Sequence, residues 1–100
     1  AADAGNVRGP VSNTARVKAR ATDVYTERFY GGEQAVVRLT GDGDTDIDVF
    51  VYDEFGDLVA SDTGATDRCV VSWYPPRTGR YTIRVVNLGN VWNEYTIRTN

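Results

Sequence analysis

The chain has 100 residues, of which 41% are hydrophobic and 25% charged; this is ordinary globular usage, far from that of a disordered chain, and enough for one hydrophobic core but not two. Fourteen acidic against eleven basic residues give a formal charge of −3. With a pI near 4.8 it offers no electrostatic footprint to duplex nucleic acid or anionic lipid, so a monomer with neither nucleic-acid nor membrane partner is expected.

Residues 1–12 hold Gly5, Gly9 and Pro10 and show no apolar periodicity, which reads as a linker or disordered arm ahead of a folded domain over 13–100. From there apolar residues recur at every second position, and no stretch has helical spacing. Turn residues bound eight candidate strands: Thr14–Ala21, Asp23–Tyr30, Glu33–Thr40, Ile47–Asp53, Leu58–Ser61, Arg68–Tyr74, Arg80–Asn87 and Glu94–Thr99. The first sets Arg16, Lys18 and Arg20 against Ala15, Val17, Ala19 and Ala21, a charged stripe suited to a protected edge strand that Arg28 would extend. The third, fourth, sixth, seventh and eighth present inward sets: Ala35, Val37 and Leu39; Ile47, Val49 and Val51; Cys69, Val71 and Trp73; Tyr81, Ile83 and Val85; Tyr95 and Ile97. Gly31-Gly32, Phe55-Gly56-Asp57 and Pro75-Pro76-Arg77-Thr78-Gly79 supply turns, and antiparallel hairpins are the expected links. The expected fold is an all-β, antiparallel two-sheet β-sandwich, jelly-roll-like, with about eight strands and little or no helix.

Several segments recur in one order: Asp23, Tyr25, Phe29 and Gly32; then Asp46-Ile47-Asp48-Val49-Phe50-Val51-Tyr52-Asp53 and Gly56-Asp57-Leu58-Val59-Ala60-Ser61; then Trp73 through Val85 with its Gly79-x-Tyr81 step; and finally Tyr95-Thr96-Ile97. Over Asp23 to Ile97 this set resembles the bacterial pre-peptidase C-terminal (PPC) domain, a β-sandwich appended to secreted proteases and other extracellular proteins. The resemblance implies a non-catalytic accessory or maturation domain of an exported bacterial protein, extracellular, cell-surface or periplasmic, whose partner is a parent enzyme or neighbouring domain. Ala1-Ala2-Asp3-Ala4 carries no signal-peptide pattern, so an export signal is expected outside these residues. Glu27 departs from the family, which has an inward apolar or aromatic residue there; either the register differs, or Glu27 is paired or metal-bound.

Catalysis finds little support. Histidine is absent, so no side chain with an ordinary pKa near neutrality can act as general base. Cys69 is the only cysteine; an intramolecular disulfide is impossible, and its parity with Val71 and Trp73 reads as a small buried hydrophobe.

Two features could bind something. Asp42, Asp44, Asp46 and Asp48 alternate from a glycine turn into the fourth strand; side chains two apart in extended backbone share a face about 7 Å apart, and a hard divalent cation is the natural counter-charge. Calcium is the candidate cofactor, acting on stability. The competing reading is a solvated acidic face that discourages edge pairing. Ile47 stands where an EF-hand needs glycine, which rules that motif out. The second feature is a set of aromatics at strand ends and loops, from which Tyr74 and Trp92 are the candidate ligand-binding residues for a polysaccharide or an extracellular fibrous protein. The alternative is that these rings cover the ends of the sandwich or pack on a neighbouring domain.

Overall fold

The computed structural model describes residues 5–100. It is an all-β sandwich with strands β1 (Val11–Val17), β2 (Thr22–Phe29), β3 (Ala35–Thr40), β4 (Ile47–Tyr52), β5 (Leu58–Asp62), β6 (Arg68–Trp73), β7 (Gly79–Asn87) and β8 (Asn93–Thr99), and no helix among the described residues. One sheet has the order β1-β8-β3-β6 and the other β2-β7-β4-β5, all pairs antiparallel. This is the jelly-roll order, in which the chain passes back and forth between two sheets.

The inward sets read from the sequence form one core. Strands β3, β4, β6, β7 and β8 each bury alternate residues, and the inner faces meet around Leu39, Ile47, Val49, Val51, Ile83 and Val85. At one end Phe29, Trp73 and Tyr81 form an aromatic group: Phe29 meets Trp73 edge-on at 4.9 Å between centroids and Tyr81 at 6.0 Å, and Trp73 lies 5.3 Å from Tyr81. Such edge contacts place the positive rim of one ring on the negative face of another.

Three expectations need correction. Hairpin links fail except at β4–β5, where Asp53 Oδ1 accepts the amides of Phe55 and Asp57, both at 2.9 Å, and Gly56 adopts φ 85°. The Gly31-Gly32 and Pro75–Gly79 segments instead carry the chain across to the other sheet, because alternation fixes which residues face inward and not which strand lies alongside. The arm expected over 1–12 is folded from Gly5: Asn6 is fully buried, bridges to Phe29 and donates through Nδ2 to Glu27 Oε1 at 3.0 Å and Thr99 Oγ1 at 3.1 Å. A polar side chain so satisfied can be buried at little cost, and no apolar period announces it. Residues 1–4 lie outside the described part. Finally, β1 ends at Val17, not Ala21, because the Ala21 amide bonds to the Lys18 carbonyl and Arg20 takes a left-handed φ of 58°. Arg28 lies on β2 in the opposite sheet, so the stripe from Arg16 to Arg28 does not form.

This topology collects the β2–β3, β4–β5 and β6–β7 connections at one end of the sandwich, with Gly5 and Asn100. The β1–β2, β3–β4, β5–β6 and β7–β8 connections lie at the other.

Candidate functional site

The two sequence features fall at different places. The acidic run leads from the β3–β4 connection into β4. There Asp42 is a structural pin: Oδ1 accepts the Asp44 amide at 3.0 Å and Oδ2 the Glu94 amide at 2.9 Å. Beside it the buried Asn93 donates to Asp67 Oδ2 at 3.0 Å and to Thr45 Oγ1 at 3.1 Å, while its Oδ1 accepts the Asp42 amide at 3.1 Å. Asp67 Oδ2 also takes the Gly43 amide at 2.6 Å. Asp44 is exposed, and Asp46 and Asp48 are half-buried, each with one oxygen sealed from solvent and without a hydrogen-bond partner. Burial first, then the neighbouring Asp46 and Asp62 carboxylates, pushes the Asp48 pKa up. Among the described residues, no group of three or more His, Cys, Asp or Glu is arranged to hold a metal ion.

Glu27 keeps the inward register, opposite Tyr81, and is paired: Arg8 reaches Oε1 through Nε at 3.0 Å and Oε2 through Nη2 at 3.1 Å. With Asn6 also donating to Oε1, the carboxylate is balanced by a charge and three donors.

Tyr74 and Trp92 follow β6 and β7 respectively and so stand at opposite ends of the sandwich; they do not share a surface. Trp92 is covered on one face by the Arg16 guanidinium, 4.5 Å above the ring, and Arg16 is held in turn by Glu94 at 3.5 Å. Tyr74 is 68% exposed and lines a cavity of about 400 Å³ between the β4–β5 hairpin and the β6–β7 crossing. Trp73 and Tyr81 form its floor, and Phe55, Val59, Tyr74 and Pro76 its walls. Glu54, Arg77 and Arg80 stand at its rim, with Arg77 3.8 Å from Glu54 and 5.7 Å over the Phe55 ring. The volume is that of a small-molecule site, with apolar rings below and few polar groups above. The Trp73 indole N–H has no hydrogen bond of acceptable geometry, although it lies near enough to the Tyr81 hydroxyl to oppose in part the burial that raises the Tyr81 pKa. Gly31 keeps the wall in place. Its amide donates to Thr78 Oγ1 at 3.0 Å, and a Cβ there would run into the Arg77 backbone.

No family model matches the chain, and no curated protein matches it in sequence. Among solved structures it is similar to the mitogen derived from Yersinia pseudotuberculosis, with TM-score 0.72 and 8% identity over 92% of this chain and 85% of the other. It is also similar to the pre-peptidase C-terminal domain of a collagenase from Bacillus anthracis, with TM-score 0.65 and 15% identity over 90% of each chain. A third neighbour is PliG of Aeromonas hydrophila, a periplasmic inhibitor of g-type lysozyme, with TM-score 0.66 and 12% identity over 96% and 86%. The likeness is one of fold.

Sequence reasoning found Tyr74 but missed its neighbours. Phe55 and Arg77 sit in segments recognised only as turns, and Trp73, Tyr81 and Arg80 in strands; nothing local says that these segments converge. Elsewhere Cys69 is buried and its Sγ–H points at the Ile47 carbonyl 3.1 Å away. Burial, then the Asp62, Asp48, Asp46 and Asp67 carboxylates, pushes its pKa up to about 12. Tyr95 donates to Asp23 Oδ2 at 2.6 Å and lies 2.5 Å from the Tyr25 hydroxyl, which takes a bond from Asn13 Nδ2 at 3.1 Å. Burial and then these bonds raise the Tyr95 pKa far above that of a free phenol.

Proposed function

We propose that this is a non-catalytic accessory domain of an exported bacterial protein that holds a polysaccharide or an extracellular protein in the cavity between Phe55 and Tyr74. The observation that carries the reading is that cavity: large rings left uncovered above a buried aromatic floor, where a saccharide or an apolar side chain would replace water. The fold shared with an enzyme's accessory domain and with a periplasmic inhibitor supports export and partnership with another protein. Trp92 drops out of this surface because it lies at the far end beneath Arg16.

An array of glycans and fibrous proteins tests it, probed with the wild-type domain, with F55A and Y74A, and with W92A. A retained ligand should weaken about tenfold or more in F55A and Y74A, the loss of one well-packed anchor, and be unchanged in W92A. Retention indifferent to Phe55 and Tyr74 refutes the cavity as the site, and an empty array leaves only the accessory role.

The calcium reading is proposed in narrowed form. With Asp42 engaged by backbone amides, an ion would draw on Asp44, Asp46 and Asp48 and act on stability alone.

A further inference from the structure

The outer face of the β2-β7-β4-β5 sheet gathers arginines that form no salt bridge among the described residues. Arg28 and Arg80 stand directly opposite one another on β2 and β7, and Arg84 follows four residues along on the same face. All three are exposed. Like charges directly opposite across a sheet oppose folding, and in an acidic chain a carboxylate partner would remove the cost. Of the carboxylates lining the adjoining concavities, Glu27 is paired with Arg8 and Glu54 with Arg77, while Asp53 is held by the hairpin amides and keeps its charge.

Two shallow concavities meet at Arg80. One, of about 320 Å³, is lined by Arg8, Arg28 and Thr26 with the paired Glu27; the other, of about 630 Å³, by Arg84, Thr82 and Tyr52 with Asp53 and Glu54 on its hairpin side. Arg80 also stands at the rim of the aromatic cavity, so one continuous face runs from the rings to the arginines. Between the charged stations Thr26 and Thr82 face each other across the strands, and the Arg84 guanidinium lies 5.9 Å over the Tyr52 ring.

We propose that this face binds a linear acidic polysaccharide, one bearing carboxylate or sulfate groups along its length. The inference deepens the reading of this end as a binding surface by naming the ligand's charge class. Arg28 and Arg80 form one cationic station, and Arg84 forms a second roughly 13 Å further along β7 at ~3.3 Å per residue, too far for one small anion to touch both. Guanidinium forks match carboxylate and sulfate oxygens in pairs of bonds, the threonine hydroxyls suit sugar hydroxyls, and the adjoining rings suit the apolar face of a pyranose. An acidic peptide fits less well, because strand addition at Arg28 is closed: the Arg28 carbonyl already takes the Val7 amide at 2.9 Å, and Asn6 bridges to Phe29.

The test titrates the domain with dextran sulfate, polygalacturonate, uncharged dextran and polyglutamate. Three proteins are compared: wild type, R28Q/R80Q/R84Q, and R38Q/R98Q, which neutralises the cross-strand arginine pair on the outer face of the other sheet. The two acidic polysaccharides should bind, more weakly as salt rises, and uncharged dextran should not. The triple variant should lose affinity at least tenfold (about 1.4 kcal/mol) while melting no lower than wild type, since it removes like-charge crowding; R38Q/R98Q should bind as wild type. Failure of both acidic polysaccharides to bind, an equal loss in R38Q/R98Q, or polyglutamate binding as tightly as the polysaccharides overturns the proposal. Its failure is distinct from failure of the cavity reading, which is decided by F55A and Y74A on the array.

Discussion

Replacing Asp48 with asparagine should stabilise the domain at neutral pH, and the size of the effect follows from the geometry. Asp48 has a sealed oxygen without a partner, beside Asp46, and both causes that act on it, burial and neighbouring carboxylates, disfavour its charge. Charges about 7 Å apart at an effective dielectric of 20 repel by about 2 kcal/mol, and screening at 0.15 M salt, with a Debye length of about 8 Å, leaves about 1 kcal/mol. For a domain of this size that corresponds to a rise in Tm of roughly 4–8 °C.

The pH dependence has a definite sign. Because the folded pKa is raised, the fold prefers the neutral acid; the cost is absent below the ordinary value of 3.8 and grows as pH rises through the raised one. D48N should therefore raise Tm at pH 7 in excess chelator and change it little near pH 3. Differential scanning calorimetry at both pH values checks this. An unchanged or lowered Tm at pH 7 would refute the crowding argument, because an asparagine of the same shape gives up no side-chain hydrogen bond found at this position. The same samples decide the calcium reading: calcium should raise the wild-type Tm over chelator and leave D48N unmoved, and identical wild-type curves rule the ion out.

Cys69, with its pKa pushed up to about 12 and its sulfur buried, should be inert to a disulfide reagent in the native domain at pH 8 and react fully once urea unfolds it; fast native labelling would show the burial to be wrong. Tyr95, whose folded pKa lies above the ordinary 10.0, contributes stability that is complete below pH 10 and fades above it. Y95F should cost about 1 kcal/mol at pH 7 through the lost bond to Asp23, and its Tm should decline less than that of wild type between pH 9.5 and 11.5; parallel declines would count against the assignment.

Fold class was legible because burial alternates strictly in β3, β4, β6, β7 and β8, and an inward residue cannot change face without moving the whole strand. Strand order was not, since the same alternation suits a hairpin and a crossing between sheets. Gly31-Gly32 looks like a tight turn and is a crossing whose first glycine presses on the Arg77 backbone. Asn6 escaped notice because its burial depends on Glu27 and Thr99, 21 and 93 residues away. The aromatic cavity was half visible: Tyr74 stood out as an exposed ring, but its partner Phe55 lies across the sandwich end in a segment that shows only turn chemistry. Net charge misled in its own way. A total of −3 excludes a basic domain but is silent on where eleven cations stand, and antiparallel pairing set Arg28 against Arg80.

The two ends of the sandwich differ in what their polar groups have left over. At the end carrying the acidic run, Asn87 donates to the carbonyls of Val17, Lys18 and Val91 within 3.2 Å, and Asn93 bridges Asp67, to which it donates, and the Asp42 amide, from which it accepts. Each buried side-chain donor there finds an acceptor within the chain, and only one oxygen each of Asp46 and Asp48 stays without a partner; a network so largely satisfied adds rigidity. At the other end the Trp73 indole N–H lacks a well-formed bond, Phe55 and Tyr74 are more than two-thirds exposed, and Arg28, Arg80 and Arg84 face solvent without a salt bridge among the described residues. The end with rings and three arginines open to solvent is therefore the one with surface to offer a partner. That asymmetry holds whichever ligand is found, and it moves the search from the aspartates, which the sequence makes conspicuous, to a surface of rings and arginines of which the sequence marks only Tyr74.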